Sequence, residues 1–378
     1  MECRNIHRIR LALTLFLSGA ALASPASASV YESGGHRFEA VVVTGDLDRP
    51  WGLAFLPDGR MLVTEREGAL RMITPGGGVT GPLAGVPEVF ARGQGGLLDV
   101  VLHPDFAENS LVYLTYSRPG DDGATTALVR ARLEGAALAD VETIFVADNP
   151  ASGGRHFGSR MAFGPDGKLY VSIGERGEDD EAQNLSNHNG TVVRLNDDGT
   201  VPDDNPFVGR AGVPASTFSY GHRNPQGMTV HPTRGEVWVH EHGPRGGDEI
   251  NLLKPGANYG WPVVTFGESY AGFPIGEGTS KPGMEPPLHH WTPSIAPSGM
   301  AFYTGDAFPQ WRGDLLVGSL KFQYLARLDM DGTRVLSEDR LLEDVFGRVR
   351  DVRQGPDGLI YLLTDESDGS LVRLQPAG

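Results

Sequence analysis

The segment Gly153-Gly-Arg-His-Phe-Gly-Ser159 sets one histidine between glycines, just ahead of an apolar run. Glycine lets a backbone pass close to a ligand. His156 carries a group that titrates near neutrality, which suits a general base taking a proton from an alcohol. A lone histidine is more often structural, so this one gains chemical meaning only with partners from elsewhere in the chain. Arg348 and Arg350 flank Val349 in what reads as a strand start, and period two puts both guanidinium groups on one face. Arg223 and Asn224 follow Tyr220-Gly-His222 in a turn, and Lys321 ends a hairpin. If these cations converge they line a site for a small ligand with several carboxylates or phosphates, which arginine binds bidentately. Ion pairing with neighbours such as Asp351 and Glu343 is the competing use for them.

The densest segment is His240–Leu252. It offers Glu241, Asp248 and Glu249, with carbonyls freed by glycine and proline. Hard oxygen donors of this kind suit Ca²⁺, which takes six to eight of them. His240 and His242 keep a transition metal open, and the spacing is not that of an EF-hand loop.

These residues hang on a repeated element. Trp51–Thr64, Met161–Ser172 and Val352–Leu363 each read as an apolar strand, a Pro-Asp-Gly turn and a second apolar strand. Proline presets φ for the turn and glycine accepts φ > 0, so each is a hairpin. Looser copies run over Leu98–Thr115, Gly227–Val239 and Gly299–Val317. Two-strand units recurring roughly every 50 to 70 residues predict an all-β chain, a six-bladed β-propeller with long inserted loops on its top face. The second strands end in polar residues: Glu65-Arg66, Tyr116-Ser117, Glu175-Arg176, Glu241-His242, Lys321 and Asp365-Glu366. Equivalent blade positions gather at one mouth of the channel. Strand signals at Arg37–Val43 and Gly369–Leu374 are placed to close the ring. Glu178–Asn205, acidic and Asn-rich, and Gly267–Pro287, rich in Gly and Pro, read as inserted loops that build a site.

Residues 1–28 read as a secretory signal peptide. Arg4, Arg8 and Arg10 precede an apolar run from Leu11 to Ala23, and Ala26-Ser27-Ala28 is a small-x-small cleavage site. Residues 29–378 then form one domain, periplasmic or secreted. The chain carries 32 Lys+Arg against 48 Asp+Glu, a net charge of −16, which disfavours nucleic acid and anionic membranes. Its single cysteine, Cys3, lies in the leader. The exported domain therefore relies on a large core rather than disulfides, and zinc held by cysteine is excluded.

Taken together, Gly93–Pro104, Gly154–Phe157, Tyr220–Gln226, Glu241–Asn251, Asn258–Pro262 and Arg348–Asp351 resemble the soluble glucose/sorbosone-type aldose dehydrogenases that use pyrroloquinoline quinone (PQQ). The resemblance runs over nearly the whole mature chain. It implies a six-bladed propeller with PQQ on its top face, over the channel. Position by position, His156 matches the catalytic base, and Gln94, Arg223, Asn224, Lys321, Arg348 and Arg350 match PQQ contacts, with Tyr270 a further one. Gly243 and Pro244 match carbonyls that hold Ca²⁺ in the glucose-oxidising members, whereas Glu249 and Tyr259 match a Ca²⁺ site of the aldose-type members. Both sites stay open. The implied reaction passes the anomeric hydroxyl proton of an aldose to His156 and a hydride to PQQ, with Arg223 steadying the quinone oxygen. A lactone results, and electrons go to an external acceptor. The loops are shorter than in the glucose-oxidising branch. Two other readings compete: a Ca²⁺-dependent lactonase using Glu65, Glu175 and Glu241, and a non-catalytic binding propeller. Neither requires the cations.

Overall fold

The computed structural model describes residues 28–33 and 35–378. The expected leader lies outside the described residues except for Ala28, which opens the first strand. Nearly all regular structure is β. Six antiparallel sheets follow one another along the chain, and their first strands, Pro50–Phe55, Leu97–Leu102, Met161–Phe163, Pro225–Val230, Pro297–Phe302 and Val349–Gln354, touch in sequence and close into a ring. Each is the first strand of an expected hairpin.

The hairpin turns are built alike. In the three Pro-Asp-Gly copies, Gly59, Gly167 and Gly358 take φ of 85°, 70° and 76°. The aspartate side chain caps the turn in each: Asp58 accepts from Arg60 N at 3.0 Å, Asp166 from Lys168 N at 3.1 Å and Asp357 from Leu359 N at 3.1 Å. The aspartate thus stabilises the turn and does no chemistry.

Second strands such as Met61–Glu65, Val237–Glu241 and Ile360–Thr364 are buried along their whole length. Neighbouring blades cover both faces of these inner strands, so they read as near-continuous apolar runs rather than alternating ones. Among the described residues six of the apolar clusters lie one at each blade-to-blade seam, and a smaller one gathers around Trp51, Leu98 and Phe157. The ring closes as expected: His36–Leu47 pairs with Gly369–Pro376, so the last blade mixes both ends of the chain. Glu178–Asn205 is not wholly a loop. It contains the strand Thr191–Leu195, which pairs with Leu169–Ser172 inside its blade; the surrounding Asn and Asp residues hid a five-residue strand whose Val192, Val193 and Leu195 are buried. No helix among the described residues is long and apolar enough to cross a membrane.

Inside the ring, the buried Asp99, Asp351 and Arg160 meet a partly buried Arg353. Arg160 Nη1 lies 3.1 Å from both Asp99 and Asp351, and Arg353 reaches the same two carboxylates at 2.9 Å. The Arg160 guanidinium also covers the Trp51 ring at 4.1 Å. Asp99→Ala should therefore cost about 3–5 kcal/mol, because it leaves two arginines, one of them fully buried, to share Asp351 alone. Urea unfolding of parent and variant measures this, and a loss below about 1 kcal/mol would contradict it.

Candidate active site

Three of the six polar second-strand ends, those carrying Arg66, His242 and Asp365, meet at one mouth of the ring. A cavity of about 230 Å³ is walled by Arg66, Gln94, Gln226, His242, Arg348 and Arg350, with Trp51 and Asp365 among them. Arg348 and Arg350 stand on one face, as period two predicts, and both donate to Asp365 Oδ2, at 2.9 and 2.8 Å. Their competing partner is this carboxylate, not Asp351 or Glu343. Burial alone would raise the Asp365 carboxyl, but the two arginines outweigh it and hold the group below the usual range.

His156 sits beside this cup. Its backbone N–H donates to Gln94 Oε1 at 2.8 Å, so one wall residue fixes the histidine's segment. Its Nδ1 lies 2.7 and 2.5 Å from the two oxygens of Glu175. Among the described residues no hydrogen bond reaches Nε2. Burial pushes the Glu175 carboxyl up to about 7. Burial, together with the charges of Arg223 and Arg155, pushes His156 well down. Above neutrality the pair is thus a neutral imidazole donating Nδ1–H to a carboxylate, and Nε2 carries a free lone pair. His156 holds φ at 54°, a left-handed conformation that costs a non-glycine residue about 1–3 kcal/mol. The flanking glycines serve this loop itself. A Cβ on Gly154 would lie 2.7 Å from the Arg92 carbonyl and one on Gly158 2.7 Å from the Ser172 carbonyl; from across the loop, a Cβ on Gly174 would overlap the His156 carbonyl. Their close approach is backbone to backbone.

Arg223 is buried. Its Nη1 donates to the carbonyls of His242 and Gly243, at 3.2 and 3.1 Å, and its Nε has no partner. Asn224 accepts from Gly158 N at 3.1 Å, and its buried Nδ2 is also without a partner. His242 is pushed down to about 3 by burial, even though its bond to the Pro297 carbonyl opposes this; neutral, it donates Nε2–H there.

Glu249 and Tyr259 meet at the edge of a second cavity, of about 310 Å³, roofed by residues 279–287 of the Gly/Pro-rich insertion. Burial, then the nearby Glu241 and Asp248 charges, drives the Glu249 carboxyl well up. The Tyr259 hydroxyl is engaged with the Leu252 carbonyl at 2.5 Å. Pro244 is buried behind Gly267. Among the described residues no three His, Cys, Asp or Glu side chains cluster as metal ligands.

Two expected contacts stand outside the cup. Lys321 is exposed, its Nζ 4.9 Å from the Phe322 ring, and its neighbour Leu320 lines the cavity instead. Tyr270 is 73% exposed on a short hairpin turn of the insertion. Conversely, Trp51, Arg66, Gln226, His242 and Asp365 form walls that motif reading did not separate out, and Glu175 joins the histidine. Four of these six had one signal in the sequence: Arg66, Glu175, His242 and Asp365 all sit at the polar ends of second strands.

A propeller with a cationic cup beside a carboxylate-held histidine has the parts of an oxidoreductase acting on a sugar hydroxyl. The family model "Glucose / Sorbosone dehydrogenase" matches residues 47–373, and the chain belongs to that family of oxidoreductases. It is 47% identical over 366 residues to the aldose sugar dehydrogenase YliI of Escherichia coli (strain K12), covering 95% of this chain and 96% of the relative. The structure of the soluble aldose sugar dehydrogenase from Escherichia coli in the apo-form superposes with a TM-score of 0.87 at 47% identity, over 90% of this chain and 100% of the other. The PQQ-bound aldose sugar dehydrogenase from Streptomyces coelicolor superposes with a TM-score of 0.75 at 30% identity, over 93% and 99% of the two chains.

Gly174→Ala tests how the histidine is held. The new methyl group forces the His156 segment away, at an expected cost of about 1–3 kcal/mol in stability. A melting temperature equal to the parent's would refute this packing.

Proposed function

We propose that the protein is an exported, PQQ-dependent aldose dehydrogenase that oxidises sugars at the anomeric carbon to lactones and passes electrons to an external acceptor. One observation carries the reading: a cup walled by arginines adjoins a buried histidine whose Nδ1 is held by Glu175. Buried donors without partners at Arg223 Nε, Asn224 Nδ2 and Arg350 Nε are what a polyanion would satisfy. Gln94, Arg348 and Arg350, with Arg223 and Asn224 beside them, would hold PQQ; Lys321 and Tyr270 would approach from the rim. For calcium, the Glu249 carboxylate and the unpartnered Asn251 Oδ1 form a fitting oxygen set near Tyr259. The carbonyls of Gly243 and Pro244 remain the second candidate, although that of Gly243 already accepts from Arg223.

When bound, PQQ supplies an electrophilic quinone able to accept a hydride, and calcium a Lewis acid. The protein's part is proton management and charge. His156 Nε2 takes the anomeric hydroxyl proton. Glu175 keeps the ring in the Nδ1–H tautomer and balances the positive charge that forms. Arg223 presents a fixed positive charge where negative charge gathers. The lactonase reading is weaker because its three carboxylates are separately committed: Glu65 to Arg71 at 2.6 Å, Glu175 to His156, and Glu241 to His222 at 2.8 Å.

Apoprotein mixed with PQQ, Ca²⁺, an aldose panel and a redox dye should reduce the dye only when all are present, and EDTA before reconstitution should prevent it. Absence of any PQQ-dependent spectral change would overturn the proposal. His156→Gln should retain PQQ binding while turnover falls about 10²–10⁴-fold; parental turnover would remove the base assignment. Because a proton on the His156–Glu175 pair blocks the base, kcat/KM should rise with pH through an apparent value near 7, following Glu175. A profile flat from pH 5 to 9 would contradict the dyad.

A further inference from the structure

We infer that Arg66 is a further anchor of the cup, binding one carboxylate of the cofactor bidentately. The inference rests on the PQQ reading above. Arg66 lines the same cavity as Arg348 and Arg350, yet its electrostatic situation differs. Arg348 Nε and Nη2 and Arg350 Nη2 all point at Asp365 Oδ2, and Arg348 Nη1 donates to the Leu320 carbonyl at 3.2 Å. Arg350 Nη1 reaches Gln226 Oε1 at 3.4 Å. An arriving carboxylate must share both of these guanidinium groups with Asp365. The Arg66 guanidinium makes no hydrogen bond among the described residues. Its nearest carboxylate is that of the half-exposed Glu67, at 3.9 Å. The adjacent Glu65 does not neutralise it, because Glu65 turns inward to Arg71 at 2.6 Å.

Arg66 is nonetheless held firmly. Its N–H donates to the Arg49 carbonyl at 3.1 Å, and its own carbonyl accepts from Leu97 N at 3.0 Å. Gly96, at φ 146°, lies against the Arg66 carbonyl and side-chain stem, and any Cβ there would displace both. The stem is thus locked by two blades while the fork, 22% exposed in its side chain, is left uncommitted. A guanidinium presented this way loses little on binding, since it breaks no existing bond and its stem is already ordered. Three arginines against one aspartate leave the cup cationic toward a tricarboxylate, and Arg66 contributes the one positive charge that no wall residue answers.

The test is PQQ binding itself, followed by absorbance and calorimetry on apoprotein without sugar. Arg66→Gln should raise the PQQ Kd by about tenfold or more, and Arg66→Lys should recover only part of that, lacking the fork. Circular dichroism should match the parent, because the replaced group holds no part of the fold. A Kd for Arg66→Gln within about twofold of the parent's overturns the assignment. So does a rise confined to the sugar KM, which would move Arg66 from cofactor to substrate. A parent protein that takes up no PQQ overturns the proposed function, and this assignment with it.

Discussion

Two aspartates and two arginines meet where the inner strands converge, and none of them is tolerable there alone. Asp99 and Asp351 each bind both Arg160 and Arg353. Backbone N–H groups add to the pairing: Met161 N donates to the spare oxygen of Asp99 at 2.9 Å, and Leu53 N donates at 3.2 Å to Asp351 Oδ2, the oxygen that also takes Arg353. Four of the six blades are therefore tied through one charge cluster. Removing water from ions costs several kcal/mol each unless pairing is close and hydrogen bonds are complete. That penalty makes the cluster a specifier of register more than a source of stability. A blade that slipped by one residue would carry its charge out of reach of the others. The cup lies directly on this platform, since Trp51 is shared: Arg160 covers its ring at 4.1 Å and Arg350 approaches at 5.9 Å.

The cup inverts the charge of the molecule that carries it. The chain has a net charge of −16, yet this mouth presents Arg66, Arg348 and Arg350 against Asp365. Distant surface carboxylates are screened by salt beyond about 8–10 Å, whereas charges at a partly buried wall act through a lower dielectric. The local arrangement therefore governs an anion at the cup, and the acidic exterior has little say. Asp365 has a structural part in this. It keeps Arg348 and Arg350 side by side despite their mutual repulsion, and their combined field in turn holds it ionised.

How much of this could be read from the sequence follows from how local each feature is. The Pro-Asp-Gly hairpins are set by turn chemistry within five residues, and they alone reveal the first two strands of three blades. The strand Thr191–Leu195 is signalled only by what packs on its two faces, so Asn- and Asp-rich flanks disguised it as loop. Arg348 and Arg350 could be paired by period two, but Asp365, their partner, comes from the neighbouring strand's end. Lys321 carries only the mark of a polar strand end and Tyr270 only a motif resemblance, and neither tells how exposed the side chain is once the chain folds. Arg66 carried only the weak mark of a polar strand end, because its role depends on a cavity assembled from several blades.

His156, the proposed base, sits on a loop rather than within a strand, and the backbone shows why that placement suits it. A strand residue has its N–H and C=O spent on the ladder and its side chain fixed to one of two faces. His156 instead turns back at φ 54°, with its N–H given to Gln94 and its carbonyl lodged against Gly174. This aims the ring at a carboxylate that itself rises from the end of the adjacent strand. The strain is held by contacts on both sides, so the ring cannot relax without opening the Gly93–Gly95 and Gly174 segments together. The Gln94 side chain belongs at once to the cup wall and to the histidine's backbone. The cup wall and the loop that carries His156 are therefore joined through one hydrogen bond, so the proposed cofactor site and the proposed proton acceptor share a positioning residue.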